Sequence, residues 1–205
     1  MMISGIDEAG RGPVIGPMMI CGVLLKRENI EYLKGLGVRD SKTLTPRKRE
    51  ELAKVIRRIS SKYEILRVSP EEIDRARRKE ALNELEAEKF ALLIDRLGPD
   101  EVYIDSVDPN PERFRARLMR YVHHVPAKIV IENFADKKYI PVAAASILAK
   151  VERDRTVMML REKFGDFGSG YPSDPKTIKF LKEWKIRYGK FPDFVRKSWK
   201  TLERL

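Results

Sequence analysis

Ile3-Ser4-Gly5-Ile6-Asp7-Glu8-Ala9-Gly10-Arg11-Gly12-Pro13 opens the chain with a short apolar run that ends in two adjacent carboxylates and passes at once into a Gly-Arg-Gly triplet. The run reads as a strand over residues 2–7, with the acids at its end. Open α/β sheets place their sites at such strand ends. Asp7 and Glu8 suit a hard cation such as Mg²⁺, which takes oxygen ligands. Gly10 and Gly12 lack Cβ, so the backbone there can approach a ligand closely. Arg11 offers a fixed fork of donors suited to phosphate or sugar oxygens. The hexapeptide points to chemistry on a phosphodiester.

Beyond it, the apolar run from Val14 to Leu25 is too hydrophobic for a one-sided strand and predicts a central one. The Gly-Pro pairs at 12–13 and 16–17 mark a turn and an irregular strand start. Thr45-Pro46 opens a helix through about Ile59. Tyr63 to Val68 reads as a third strand, and Ser69-Pro70-Glu71-Glu72 as a capping box that starts a short helix. Asn83 to Leu97 is amphipathic and stops at Gly98-Pro99. Glu101 to Ser106 is a fourth strand, Pro111 to Tyr121 a helix, and Ala127 to Phe134 a fifth strand. A long helix from Pro141 to Phe164 begins with small residues that allow close packing. A Gly-rich loop, 165–173, leads to a helix from Asp174-Pro175 to about Tyr188. Three opening strands, then strand and helix in alternation, describe an α/β protein with a mixed sheet flanked by helices.

Every acid beside a predicted strand end matters here. Asp7 and Glu8 end the first strand, Asp105 ends the fourth, and Asp136 follows the fifth. An acid inside an apolar strand, as Asp105 is, costs free energy unless paired or metal-bound. Four acids from three distant segments can converge at one sheet edge. Two divalent ions would relieve their repulsion and create a two-metal site for in-line phosphoryl chemistry.

The bulk properties agree. The chain has 205 residues, a net charge of +11 and a pI near 9.7, which favours an anionic partner, nucleic acid first. Cys21 is the single cysteine, so an intramolecular disulfide or a Cys-based zinc site is excluded. His123 and His124 are adjacent and the only histidines, which argues against a His-driven nucleophilic triad. No signal peptide and no run of membrane-spanning length is seen, so a cytoplasmic location is expected. Glutamine is absent, asparagine occurs four times, and 36% of residues are charged, the pattern of a thermophile.

Six blocks then carry a resemblance, in order and over nearly the whole chain. They are Asp7-Glu8-Ala9-Gly10-Arg11-Gly12-Pro13, Asp40-Ser41-Lys42-Thr43-Leu44, Tyr103-Ile104-Asp105, Ala135-Asp136-Lys137-Lys138-Tyr139, Ala143 to Lys150, and Gly168-Ser169-Gly170-Tyr171-Pro172-Ser173-Asp174. The chain resembles the archaeal type 2 ribonucleases H, the ribonuclease HII family. The resemblance implies an RNase H-like fold, and the elements read above divide into a catalytic domain with a five-stranded sheet over 1–173 and a small C-terminal helical cap packed on it over 174–205. The resemblance also implies cleavage of RNA in RNA/DNA hybrids, and of duplex DNA 5′ of a single embedded ribonucleotide, with two Mg²⁺ or Mn²⁺ ions. The ends would be 5′-phosphate and 3′-hydroxyl. Asp7, Glu8, Asp105 and Asp136 would be catalytic metal ligands. Gly10, Arg11 and Gly12 would face the 2′-OH, Tyr171 would stack on a sugar, and Lys42 would contact backbone phosphate. Arg47, in the same basic run, is read as lying with Lys42 on the substrate track.

Residues 176–205 hold ten Lys or Arg and three acids. Phe180, Trp184 and Tyr188 recur there every four residues and read as core packing, with the lysines as a duplex-facing surface. A monomer is expected. No stretch matches the clamp-binding form Gln-x-x-Leu-x-x-Phe-Phe of archaeal members, which leaves sliding-clamp binding open. A type 3 ribonuclease H lacks the Gly-Arg-Gly triplet and carries an extra N-terminal domain, whereas the catalytic strand here begins at residue 2. A non-catalytic hybrid binder is disfavoured, because four acids without metals would only repel phosphate.

Overall fold

The computed structural model describes residues 1–39, 43–79 and 81–205. A five-stranded sheet runs in the order β3-β2-β1-β4-β5. Its strands are β1 (Met2–Ala9), β2 (Met18–Lys26), β3 (Lys62–Val68), β4 (Glu101–Asp105) and β5 (Lys128–Glu132). β2 lies antiparallel to both β1 and β3, while β4 lies parallel to β1 and β5. The sheet is therefore mixed, as the order of strands and helices suggests, and β1 is its central strand.

Helices cover both faces. α1 (Arg27–Gly35), α2 (Pro46–Ile59) and the first half of α7 (Ile140–Phe164) pack with Met19, Cys21 and Val23. α3 (Pro70–Arg78), α4 (Leu82–Leu97) and α5 (Pro111–Leu118) cover the other face around Ile6, Ile20 and Ile104. The short α6 (Ala135–Lys138) follows β5, and α8 (Pro175–Tyr188) follows α7. Leu181 of α8, with Val195, Trp199 and Leu202 beyond it, joins the α4-side core. Residues 174–205, expected as a cap packed on the rest, contribute these four side chains to that core. No helix among the described residues is long and apolar enough to cross a membrane.

Four readings change. β2 starts at Met18, not Val14. Gly16 has φ +90° and Pro17 has no N–H, so residues 14–17 cannot continue a ladder. Their polar groups turn instead to Gly170, Phe194 and Arg196. α1 has no counterpart in the sequence reading, since Lys26 gives it no side-chain cap and it buries only Leu33. β5 stops at Glu132, because Phe134 takes a left-handed conformation with φ 60°. The aromatic stripe of α8 is core only at its start. Phe180 packs on the core, but Tyr188 is 52% exposed.

The decisive contact is between β1 and α7. A Cβ built on Gly5 would lie 2.0 Å from the Pro141 carbonyl carbon and 2.3 Å from the Val142 nitrogen. Only glycine lets the two backbones meet. Gly5→Ala is expected to lower unfolding free energy by at least about 3 kcal/mol, the upper range of overpacking costs, because backbone cannot swing aside as a side chain can. Chemical denaturation measures it, and a variant as stable as the parent would show that α7 can shift.

Candidate active site

Alternation along β1 sends Asp7 to the α7 face with Gly5, and Glu8 to the α4 face with Ile6. Asp7 pairs across the ladder with Cys21, and Glu8 with Ile20. The parallel register puts Ile6 opposite Ile104, so Asp7 comes level with Asp105 at the end of β4. β1 runs two residues further than expected, and both acids lie within the strand. A cleft of about 530 Å³ opens there. Its walls include Asp7, Glu8, Asp105, the Gly10-Arg11-Gly12 backbone and Tyr171. Asp136 does not line it. That residue is buried on α6 yet close enough to add to the negative field at Asp7.

Burial first, then repulsion from Asp105, pushes the Asp7 carboxyl up to about 8, against a hydrogen bond from Ser146. Asp7 Oδ1 also accepts the Glu8 N–H at 2.7 Å. Glu8 is held well above the usual carboxylate range by burial and by Asp7. Asp105 Oδ1 accepts from the Ala135 N–H at 2.7 Å, which ties the start of α6 to β4. Among the described residues no three Asp, Glu, His or Cys groups form a ready cage for an ion. The acids feel one another's charge over a longer range than ligation requires. The donor chemistry still fits a hard cation: the cluster offers only oxygens, and Glu8 Oε2 is buried with no hydrogen-bond partner among the described residues.

Cations ring the acids. α7 carries Ser146, Lys150 and Arg153 on one face at i, i+4 and i+7, all lining the cleft. That spacing was readable, although Arg153 lies outside the blocks that carry the resemblance. Arg49 of α2 also lines the cleft, whereas Arg47 stands outside it, with its side chain 92% exposed and paired to Glu51. Lys42 lies outside the described residues. Arg11 turns to fully buried Glu86, 2.8 Å from Nε, and to Asn83, 2.7 Å from Nη2. Burial raises Glu86 even with Arg11 beside it. A second cavity adjoins across Arg11 and is lined also by Arg77 and Arg117.

Tyr171 is 40% exposed at the rim. A Cβ on Gly12 would lie 3.3 Å from its ring, so the triplet and the Gly-rich loop touch here. The Arg153 guanidinium sits 5.6 Å from the ring centre and donates to the Ser169 carbonyl. His123 and His124 lie away from the cleft, where Asp95 accepts from both backbone amides.

A mixed sheet with acids from β1 and β4 meeting at one cleft, beside a Gly-Arg-Gly loop, defines a nuclease of the ribonuclease H class. The ribonuclease HII family model matches residues 4–202. A ribonuclease HII of Thermococcus sibiricus is 50% identical over the whole chain and 91% of its own length. The crystal structure of the ribonuclease H2 from Pyrococcus horikoshii OT3 superposes with a TM-score of 0.92 at 46% identity, covering 100% of this chain and 96% of that one. A ribonuclease HII of Archaeoglobus fulgidus, solved in complex with PCNA, gives 0.87 at 48% identity, covering 98% and 96%. A Bst ribonuclease HIII in complex with Mn²⁺ shares the fold, with a TM-score of 0.76 at 18% identity over 100% of this chain and 68% of that one. This chain belongs to the ribonuclease HII family. It is accordingly a hydrolase, an endonuclease whose family cuts the RNA strand of RNA/DNA hybrids.

The loop that carries Tyr171 is anchored by Asp174. The Ser169 N–H, the Ser169 side chain and the Lys176 N–H hold that carboxyl down at about 2. This folded value lies below the ordinary aspartate value of about 3.9, so the stabilisation is complete above about pH 4 and is lost as pH falls toward 2. The stability gap between the parent and Asp174→Asn, followed by chemical denaturation, is expected to be flat above about pH 4 and to close between about pH 4 and 2. A gap that persists at the acid end would remove Asp174 as the anchor.

Proposed function

We propose that this chain cleaves duplex DNA 5′ of single embedded ribonucleotides as well as longer hybrids, with two divalent ions, and leaves 5′-phosphate and 3′-hydroxyl ends. One observation carries the reading: Asp7, Glu8 and Asp105 open into the same cleft as the Gly10-Arg11-Gly12 backbone. Asp7, Glu8, Asp105 and Asp136 would hold Mg²⁺ or Mn²⁺. Bound there, the ions supply an activated water and neutralise charge on the departing oxygen. The chain does the rest. Ser146 orients Asp7 by hydrogen bonding. The triplet backbone, free of Cβ at Gly10 and Gly12, faces the ribose, whose 2′-OH separates RNA from DNA. Tyr171 presents an exposed ring to a sugar. Lys150, Arg153 and Arg49 offset the acids and attract phosphates. A nucleophilic side chain is not needed, which fits histidines placed far from the cleft.

Asp7→Asn and Asp105→Asn keep side-chain shape and remove a ligand charge. Each is expected to slow cleavage of a duplex with one ribonucleotide by about 10²- to 10³-fold in Mg²⁺ or Mn²⁺. Folding and duplex affinity should hold. Parental turnover by either variant would sink the assignment.

The C-terminal lysines make a second expectation. Lys179 and Lys197 are exposed and, among the described residues, pair only with neighbours on their own segment, Glu183 at 3.8 Å and Asp193 at 3.4 Å. With Lys179, Lys182, Lys185 and Lys197 all changed to Ser, the melting temperature should hold, because none lies in the core. Duplex binding should weaken, and the log–log salt slope should flatten by about 0.9 for each phosphate no longer contacted. Unchanged affinity at every salt concentration would place the track elsewhere, along Arg49 and Lys150.

A further inference from the structure

After α8 the chain returns to the triplet loop. Arg196 is fully buried, and its guanidinium donates to three backbone carbonyls. Nε meets Gly16 O at 2.8 Å, Nη1 meets Arg11 O at 2.8 Å, and Nη2 meets Gly10 O at 2.5 Å. Trp199 Nε1 donates to Gly12 O at 3.1 Å. All three triplet carbonyls therefore point into the C-terminal segment. Asp74 of α3 fixes that segment in turn, accepting the N–H of Lys197 at 2.7 Å and of Ser198 at 2.9 Å.

A trans peptide sends its C=O and the next N–H in opposite directions. With the carbonyls of Gly10 and Arg11 tied back, the N–H groups of Arg11 and Gly12 point away from Arg196. Neither has a hydrogen-bond partner among the described residues. Both residues line the cleft with the carboxylates. A buried cation is a costly way to close a loop, since an apolar side chain would pack there without desolvating a charge. Burial first and Arg153 next pull the guanidinium down to about 9, so the fold bears that cost. A fork of donors, rather than bulk, is what the position requires.

We propose that Arg196 and Trp199 are positioning residues for ribose discrimination. They hold the Gly10-Arg11-Gly12 carbonyls inward and so aim the Arg11 and Gly12 amides, as a donor pair, at the 2′ oxygen. The inference rests on the reading that this loop faces the ribose.

The test uses the full chain and two duplexes that differ only at the cleavage site, one with a ribonucleotide and one with its 2′-fluoro analogue. Trp199→Phe keeps the ring and removes the donor. Arg196→Lys keeps the charge and loses the fork. Each variant should lower kcat for the ribonucleotide by about 10- to 100-fold, with the 2′-fluoro rate and both KM values nearly unchanged, as a misaimed donor would. The preference ratio therefore falls. Methylguanidinium added to Arg196→Ala should restore part of the ratio. If rates on both duplexes fall together, with the ratio at the parental value, the residues are structural only and the proposal is overturned. Trp199→Phe decides this alone if Arg196→Lys does not fold. A parent enzyme that cuts both duplexes equally would instead overturn the reading of the loop, and the proposal with it.

Discussion

Backbone meets backbone where α7 crosses β1, and most of the site follows from that contact. Gly5 removes the one atom that would hold the helix off the strand. Ala143, Ala144 and Ala145 then bury completely without adding thickness. At that separation the α7 face bearing Ser146, Lys150 and Arg153 lies over the C-terminal part of β1, where Asp7 is. A wider spacing would take Ser146 off Asp7 and open the cleft. The helix is thus a ruler for the site as well as a wall of the core.

Opposite charges share this cleft: Asp7, Glu8 and Asp105 line it together with Arg49, Lys150 and Arg153, and Asp7, Arg49 and Arg153 are all buried. Burial raises Asp7 and Glu8, so the cluster resists ionisation unless a cation joins it. The cleft cations and the net charge of +11 attract a polyanion to the same place. Neither set suffices alone. The acids would repel a phosphodiester, and the cations would hold one without cutting it. Arg11 belongs to both, since its guanidinium balances Glu86 while its backbone faces the cleft.

The loops that border the cleft are secured from far along the chain. Val14 and Ile15 donate to Gly170, Gly16 donates to Phe194, and the Arg196 N–H donates to Val14. The Gly-Arg-Gly turn, the Tyr171 loop and the C-terminal segment therefore form one hydrogen-bonded knot. Residues 14–17 are buried yet not strand, because these partners replace a neighbouring strand.

Much of this was legible in the residues. Apolar runs marked the strands, caps such as Thr45 and Ser69 marked helix starts, and Asp105 stood out because an acid in an apolar strand demands a partner. The order of strands and helices foretold the mixed sheet. By contrast α1, without a capping side chain and with a single buried residue, left no periodic mark. The inward path of residues 14–17 and the turn of Arg11 toward Glu86 also depended on distant partners. Residue identity was enough to say which side chains could carry charge and which segments had to be buried. Tertiary structure alone decided what those charges meet. The clamp of Arg196 and Trp199 on the triplet shows the reason: its acceptors are backbone carbonyls, which every residue carries alike, so nothing in the sequence distinguishes them until the chain has folded.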